Sequence, residues 1–247
     1  LLFSWEQRVI FLIGIDDSGQ PGKAGTDSLA LGLGLHLQAR GFATLMHISR
    51  HQLLPTDEFP GASVNQAYCL ALSGDPNALR EIDMESRVYI MRNASAGSNA
   101  GLTLARSDRV NQRILSFAQA CRSLVLQRQD ALDLARASGL TTVGFTGSGS
   151  GVIGSLAAVG WRWQGSDGTI TWMPGLDKLK GAMPFHQVLH HCSFDYVQST
   201  RGHTPLFDEI IQLGAGPTPL LKENRTLLLL EAAPRGAEWH WVAAKSR

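Results

Sequence analysis

The chain has 247 residues, 44% hydrophobic and 17% charged, with a formal net charge of +1 at pH 7, a composition expected of an ordinary soluble globular protein long enough to bury a real core. That near-neutral balance offers no strongly basic stripe for tracking a nucleic-acid backbone. The three cysteines, Cys69, Cys121 and Cys192, lack CxxC spacing, so neither a disulfide framework nor a four-cysteine zinc site is implied and a reducing cytoplasm is the default compartment. The longest apolar runs, Val9–Ile13 and Leu227–Leu230, are too short to span a bilayer, and Leu1–Arg8 has no cleavable-signal layout.

Val9–Ile13 predicts a buried strand, followed by Gly14-Ile15-Asp16-Asp17-Ser18, a glycine-rich stretch through Gly25, and a helix start at Thr26, Asp27 or Ser28. A strand end that fixes two adjacent carboxylates suits Mg²⁺, which takes hard oxygen ligands. Glycines let backbone N–H groups approach phosphate oxygens, and the positive end of the next helix favours the anion. The same residues also make plain turn and N-cap chemistry, and neither the Walker lysine pattern nor the strict dinucleotide fingerprint is present.

Ser28–Arg40 predicts an apolar helix closed by Gly41, Phe42–Ile48 a second strand, Ser49–Ser63 a loop broken by Pro55 and Pro60, and Asn65–Leu72 a third apolar segment. Asp75-Pro76-Asn77 opens a helix expected to stop before a strand-like piece, Arg87–Met91. Asn93–Leu102 is a small polar loop whose residue types suit ligand approach and any surface turn alike. From Ser107 to Ser138 the apolar residues recur three and four apart, predicting one long or two short helices that end at Gly139. Thr141–Phe145 then predicts a strand entering a second glycine-rich turn, Gly147–Gly151, with a helix over Val152–Val159. Two such strand, glycine-loop, helix units favour a two-walled anion cradle. Trp161–Trp172 predicts a hairpin, Pro184–Cys192 a short helix, and the tail from Tyr196 is β-rich, with Leu227–Leu230 and Trp239–Val242 flanking a turn at Pro234-Arg235-Gly236.

Other constellations are weaker. His186 and His190 would share a helix face beside His191 and Cys192, but no second ligand cluster accompanies them, so solvated or core-edge histidines are expected. Gly147-Ser148-Gly149-Ser150-Gly151 has the outer glycines of a nucleophile elbow, yet Gly149 stands where the serine should be, which argues against a hydrolase. Trp161, Trp163 and Trp172 could stack a base, but alternating tryptophans are expected to be hairpin packing.

Gly14-Ile15-Asp16-Asp17-Ser18 followed by Gly25-Thr26 and Leu29-Ala30 resembles the opening motif of the isoleucine tRNA agmatinylcytidine synthases, in their kinase-like ATP-using domain and its bacterial stand-alone relatives. The Asn65 segment, the loop Gly97-Ser98-Asn99-Ala100-Gly101-Leu102 and the run Gly149 to Gly160 follow in the family's order, covering roughly residues 9–170 with a weaker echo from Pro217 to Leu230. The resemblance implies ATP and Mg²⁺ as cofactors and phosphorylation of a carbonyl oxygen, chemistry that rests on positioning and charge neutralisation. It implies Asp16 and Asp17 as metal ligands, Thr26 at the phosphates as the third catalytic residue, and Gly25, Gly97, Ser98, Asn99, Gly149, Ser150 and Gly151 as nucleotide-binding walls. The chain departs from the family at Gly19, Asn99 and Ser150, where acidic residues are usual, and near Leu31, where a basic one is. It is too short for the family's zinc ribbon and nucleic-acid-binding modules, so tRNA is not an expected partner.

The expectation is therefore an α/β protein with a mixed sheet built from strand–Gly-loop–helix units: a nucleotide-binding core over residues 1–170 and a smaller β-rich C-terminal portion, 171–247, packed on the same domain. Its expected activity is that of an ATP- and Mg²⁺-dependent phosphotransferase, synthetase or ligase on a small or nucleoside-like substrate, away from membranes, with homo-oligomerisation left open. The alternative is a non-catalytic nucleotide-binding or scaffold protein that has lost metal-binding carboxylates.

Overall fold

The computed structural model describes residues 8–16, 25–54 and 65–244, and it is a mixed α/β fold. Contacts divide the chain into two compact units, Leu1–Gln164 and Gly165–Arg247.

In the first unit, five strands, β1 (Val9–Asp16), β2 (Ala43–Gln52), β3 (Gln66–Gly74), β4 (Gly101–Arg106) and β5 (Thr141–Gly144), lie in the order β5-β4-β1-β3-β2, every neighbour antiparallel. With α1 (Thr26–Ala39) after β1 and α2 (Leu79–Asn93) before β4, the run β1-α1-β2-β3-α2-β4 is the split β-α-β arrangement of ferredoxin-like folds. Side chains alternate along β1. Phe11, Ile13 and Ile15 are fully buried on the face that α1 and α2 cover, while Leu12 joins a separate core with α3 (Gln112–Ala120), α4 (Arg128–Ala137) and α5 (Val152–Gln164).

Helix α5 sits closest to the sheet. Its residues from Gly154 to Arg162 are all buried, and a Cβ on Gly14 of β1 would collide with the Ser155 carbonyl oxygen. The contact is also tied by hydroxyls. Ser155 Oγ–H donates to Val152 O (3.1 Å), which leaves Thr103 Oγ1–H to donate to Ser155 Oγ (2.9 Å) and Thr142 Oγ1–H to Thr103 Oγ1 (3.0 Å).

Three sequence expectations are corrected. The residues Arg87–Met91 continue α2, because Ile82, Ser86 and Ile90, four apart, bury one helix face and the β-branched and aromatic content there is not a strand signal. The predicted Trp161–Trp172 hairpin is instead the last turn of α5, which holds Trp161 and Trp163, followed by a separate strand, β6 (Thr169–Trp172). A helix buried on nearly every side has no polar face to reveal its period. Ser49 to Gln52, expected in a loop, extend β2, with His47, Ser49 and His51 all buried.

The second unit is mostly β, as expected. Strands β6, β7 (Ala182–Pro184), β8 (Tyr196–Ser199), β9 (Ile210–Gln212), β10 (Leu220–Lys222), β11 (Arg225–Ala232) and β12 (Trp241–Ala243) are ordered β6-β10-β11-β12-β9-β7. β8 joins β11 in parallel, and β12 and β9 are the other parallel pair. The short helix α6 (Phe185–His191) packs Phe185 and Val188 into a core with Leu179, Ile211 and Leu228. Glu223 and Asn224 turn β10 into β11 with φ of 52° and 60°, the two positive values of a type I′ hairpin.

Gly14→Ala is expected to lower stability by about 1–3 kcal/mol, seen as a lower urea midpoint with an unchanged denaturant slope, since β1 and α5 would have to part. Burial pushes the thiols of Cys69 and Cys121 from 9.0 to about 12, and of Cys192 to about 11. The unfolded chain gives up these protons near its ordinary thiol value while the folded chain keeps them. Stability is therefore complete below about pH 9 and falls as pH rises toward the folded values. Urea unfolding at about pH 8 and about pH 10.5 should show the drop, and Cys69→Ala should reduce it.

Candidate functional site

Because β1 and β5 are both antiparallel to β4, they run the same way and end together: Asp16 lies opposite Gly101, and Gly101 opposite Gly144. At this sheet end α1 and α5 begin, the next helices in the chain after β1 and β5. α4 begins here too, since it runs into the start of β5 through a tight turn at Gly139, whose φ is +69°. α2 and α3 finish at the same end. Each helix start brings partial positive charge that acts within about one turn.

The two predicted walls form one structure. Gly151 N–H donates to Asn99 O, Phe145 N–H to Ala100 O and Ala100 N–H to Thr146 Oγ1, each at 2.9 Å. Ser98 Oγ–H donates to Ser95 O (2.8 Å), which leaves Thr146 Oγ1–H to donate to Ser98 Oγ (2.9 Å). The Asn99 side chain closes the joint: Oδ1 accepts both the N–H and the Oγ–H of Ser148 at 2.9 Å. Gly97, with φ of +88°, turns the first loop into this contact. Much of the glycine-loop backbone is engaged within the wall, for Gly149 N–H donates to Thr146 O (2.9 Å), Ser150 N–H to Ser148 Oγ (3.3 Å) and Ile153 N–H to Ser150 O (3.0 Å).

Asp16 is buried, and its carboxylate lies on the first turn of α5, where a Cβ on Gly154 would collide with Oδ2. A negative charge at a helix start is favourable. Asp17 and the glycine stretch through Ala24 lie outside the described residues. Thr26 is the first residue of α1. The helix start expected at Thr26, Asp27 or Ser28 is thus borne out at Thr26, while the N-cap is Gly25 without a side-chain cap bond, against the alternative reading of those three as caps. The Asp27 carboxylate instead folds back over Gly25.

Residues beyond the predicted set stand here. Tyr68 is paired across the ladder with Ile15 on one side and Arg50 on the other. Burial first, then the charges of Asp27 and Asp16, hold its phenol above the ordinary value, while Arg50 works the other way. Arg128, the first residue of α4, brings its guanidinium Nε to 3.5 Å from where a Cβ on Gly149 would stand. No motif announces any of the three; pairing register places Tyr68 and Arg50, and helix direction places Arg128.

In the second unit, the His186–Cys192 segment does not assemble a ligand set. His186 Nδ1 is 3.0 Å from Phe207 O, His190 and His191 rings meet edge-on, and Cys192 is buried. Among the described residues no group of three or more His, Cys, Asp or Glu could hold a metal ion, and no helix is long and apolar enough to cross a membrane.

No protein-family model and no curated protein matches the chain. Solved structures do match it. The apo form of TiaS, an agmatidine synthetase for an isoleucine tRNA, aligns with a TM-score of 0.53 and 23% identity over 61% of this chain and 35% of that one. TiaS in complex with that tRNA and ATP gives 0.54 and 23% over 62% and 36%, and TiaS in complex with the tRNA, AMPCPP and agmatine 0.53 and 22% over 61% and 36%. The matched part shares the fold of TiaS. The resemblance read from Gly14–Ser18 and the later glycine motifs is borne out at that level. The chain spans about a third of the TiaS chains, at 35% and 36% of their length.

Asn99→Ala should lower stability by about 1–3 kcal/mol, because both Ser148 donors lose their shared acceptor, Asn99 Oδ1. Asn99→Asp, which keeps an oxygen in place for both donors, should cost less in the same urea titration.

Proposed function

We propose that the first unit binds ATP at the joined ends of β1, β4 and β5 and serves phosphoryl-transfer chemistry, as a transferase or ligase, on a small or nucleoside-like substrate. The observation that carries this reading is the placement of Asp16 abreast of Gly101 and Gly144, beside a wall made of the Asn99 and Gly147–Gly151 loops. A TiaS-like fold supports it, since solved TiaS complexes hold ATP and AMPCPP.

The donor chemistry fits Mg²⁺: Asp16 offers carboxylate oxygens at a fixed strand end, with the Asp27 carboxylate on the next helix start. In this reading Asp16 and Asp17 hold the ion, and Thr26 stands at the phosphates on α1. Gly25, Gly97, Ser98, Asn99, Gly149, Ser150 and Gly151 shape the walls. When bound, Mg²⁺ would neutralise phosphate charge. The protein's own contribution is position. The Ser98–Thr146 and Asn99–Ser148 bonds hold the wall rigid, and α1 and α5 direct their positive ends at the anion.

One observation favours the second reading, a nucleotide-binding or scaffold protein without catalysis. Ser148, Gly149, Ser150 and Gly151 all direct their N–H groups at oxygens of the wall itself, so they would serve a phosphate only by opening.

Calorimetric titration with ATP, with and without Mg²⁺, separates the two. The enzyme reading expects Mg²⁺-dependent binding that Asp16→Asn removes while circular dichroism stays as in wild type and stability falls by no more than the loss of a helix-start charge allows, about 1 kcal/mol. A variant that binds as tightly as wild type in Mg²⁺ would sink the metal assignment. Binding indifferent to Mg²⁺, without ATP turnover, would select the second reading.

A further inference from the structure

Arg128 occupies an unfavourable position for a cation. As the first residue of α4 it sits at the positive end of its own helix, where a basic side chain is unfavourable. It is exposed, and among the described residues no ion pair compensates it. The nearest carboxylate on its helix, Asp130, is turned back to accept the N–H of Gln127 at 3.3 Å.

Its surroundings explain the placement. α4 and β5 are antiparallel neighbours, so the start of α4 returns to the sheet end where β5 releases the glycine loop. The guanidinium lies over Gly149, which is buried between Arg128 and Gly144 while Gly147 and Ser148 on the same loop are exposed. With the N–H groups of Ser148, Gly149, Ser150 and Gly151 engaged inside the wall, a side chain is needed to supply charge to an anion at its rim. A guanidinium offers five N–H donors to phosphate oxygens and keeps its charge at every working pH.

We propose that Arg128 is a polyphosphate-binding residue of this site, receiving the anionic end of its ligand at the outer rim of the Gly147–Gly151 loop. The inference rests on the nucleotide reading above and assigns that ligand a polyphosphate recognised by a side chain in place of the loop's amides. An anion there would lie near the starts of α4 and α5, and its charge would offset the cost that Arg128 imposes on α4 in the free protein.

The test is calorimetric titration of the full chain with tripolyphosphate, ATP and adenosine, for wild type, Arg128→Gln and Arg128→Lys. Loss of a charge-assisted hydrogen-bond donor should weaken tripolyphosphate and ATP about tenfold or more in Arg128→Gln. Adenosine should bind unchanged, Arg128→Lys should recover part of the loss, and added salt should weaken wild type more than Arg128→Gln. Equal ATP and tripolyphosphate affinity in wild type and Arg128→Gln would overturn the inference, as would a matching loss of adenosine. Wild type that binds adenosine but no tripolyphosphate would overturn it while leaving a nucleoside site. Tripolyphosphate binding that needs Arg128, without adenosine or ATP binding, would instead overturn the nucleotide reading alone. No binding of any probe would overturn both.

Discussion

The first unit depends on how closely α5 approaches β1 and β4. No side chain stands between Gly14 and the Ser155 carbonyl, and a Cβ on Gly101 would collide with the backbone of Gly151 and Val152. That proximity fixes where the glycine loop can run, because the loop is only as long as the path from the end of β5 to the start of α5. It also brings the Asp16 carboxylate onto the helix's first turn. Dense packing of this kind tolerates little movement. The position of the charged group and the shape of the wall are thus two results of one backbone contact.

The wall itself is held by side-chain oxygens. Asn99 and Ser148 bond at the exposed rim, and Ser98 with Thr146 bonds deeper in. A Gly-rich loop is often read as a row of open amides waiting for a phosphate. Here the glycines serve mainly to let two loops and a helix start touch, and much of the polar backbone is already satisfied. In the proposed reading, charge for a phosphate then comes from elsewhere: helix starts, and the side chains that topology brings to the rim.

Local signals in the sequence carried the parts of this arrangement that depend on neighbouring residues. The apolar run before Asp16, the glycine stretches at Gly97 and Gly149, and the helix stop at Gly139 are all legible because a few adjacent residues decide them. The misread elements were decided by distant contacts. Arg87–Met91 has strand-like residues but a helix's burial period, and α5 lost its polar face to contacts with α3, α4 and the five strands of the first unit. The Glu223–Asn224 turn has no glycine to mark it. Tyr68, Arg50 and Arg128 carry no motif. Their positions follow from register and helix direction, which exist only once the chain is folded.

The central strand pairs across long stretches of chain: Phe11 opposes Arg106 in β4, while the wall that completes the site ends at Gly151. Contacts of such sequence separation are entropically slow to close. During synthesis the opening strand must therefore remain without its β4 partner until the chain has grown past Arg106, and the sheet end stays unwalled until α5 has emerged. A ligand that needs both walls can engage only the finished first unit, so binding and complete folding of that unit are coupled by the order of its strands.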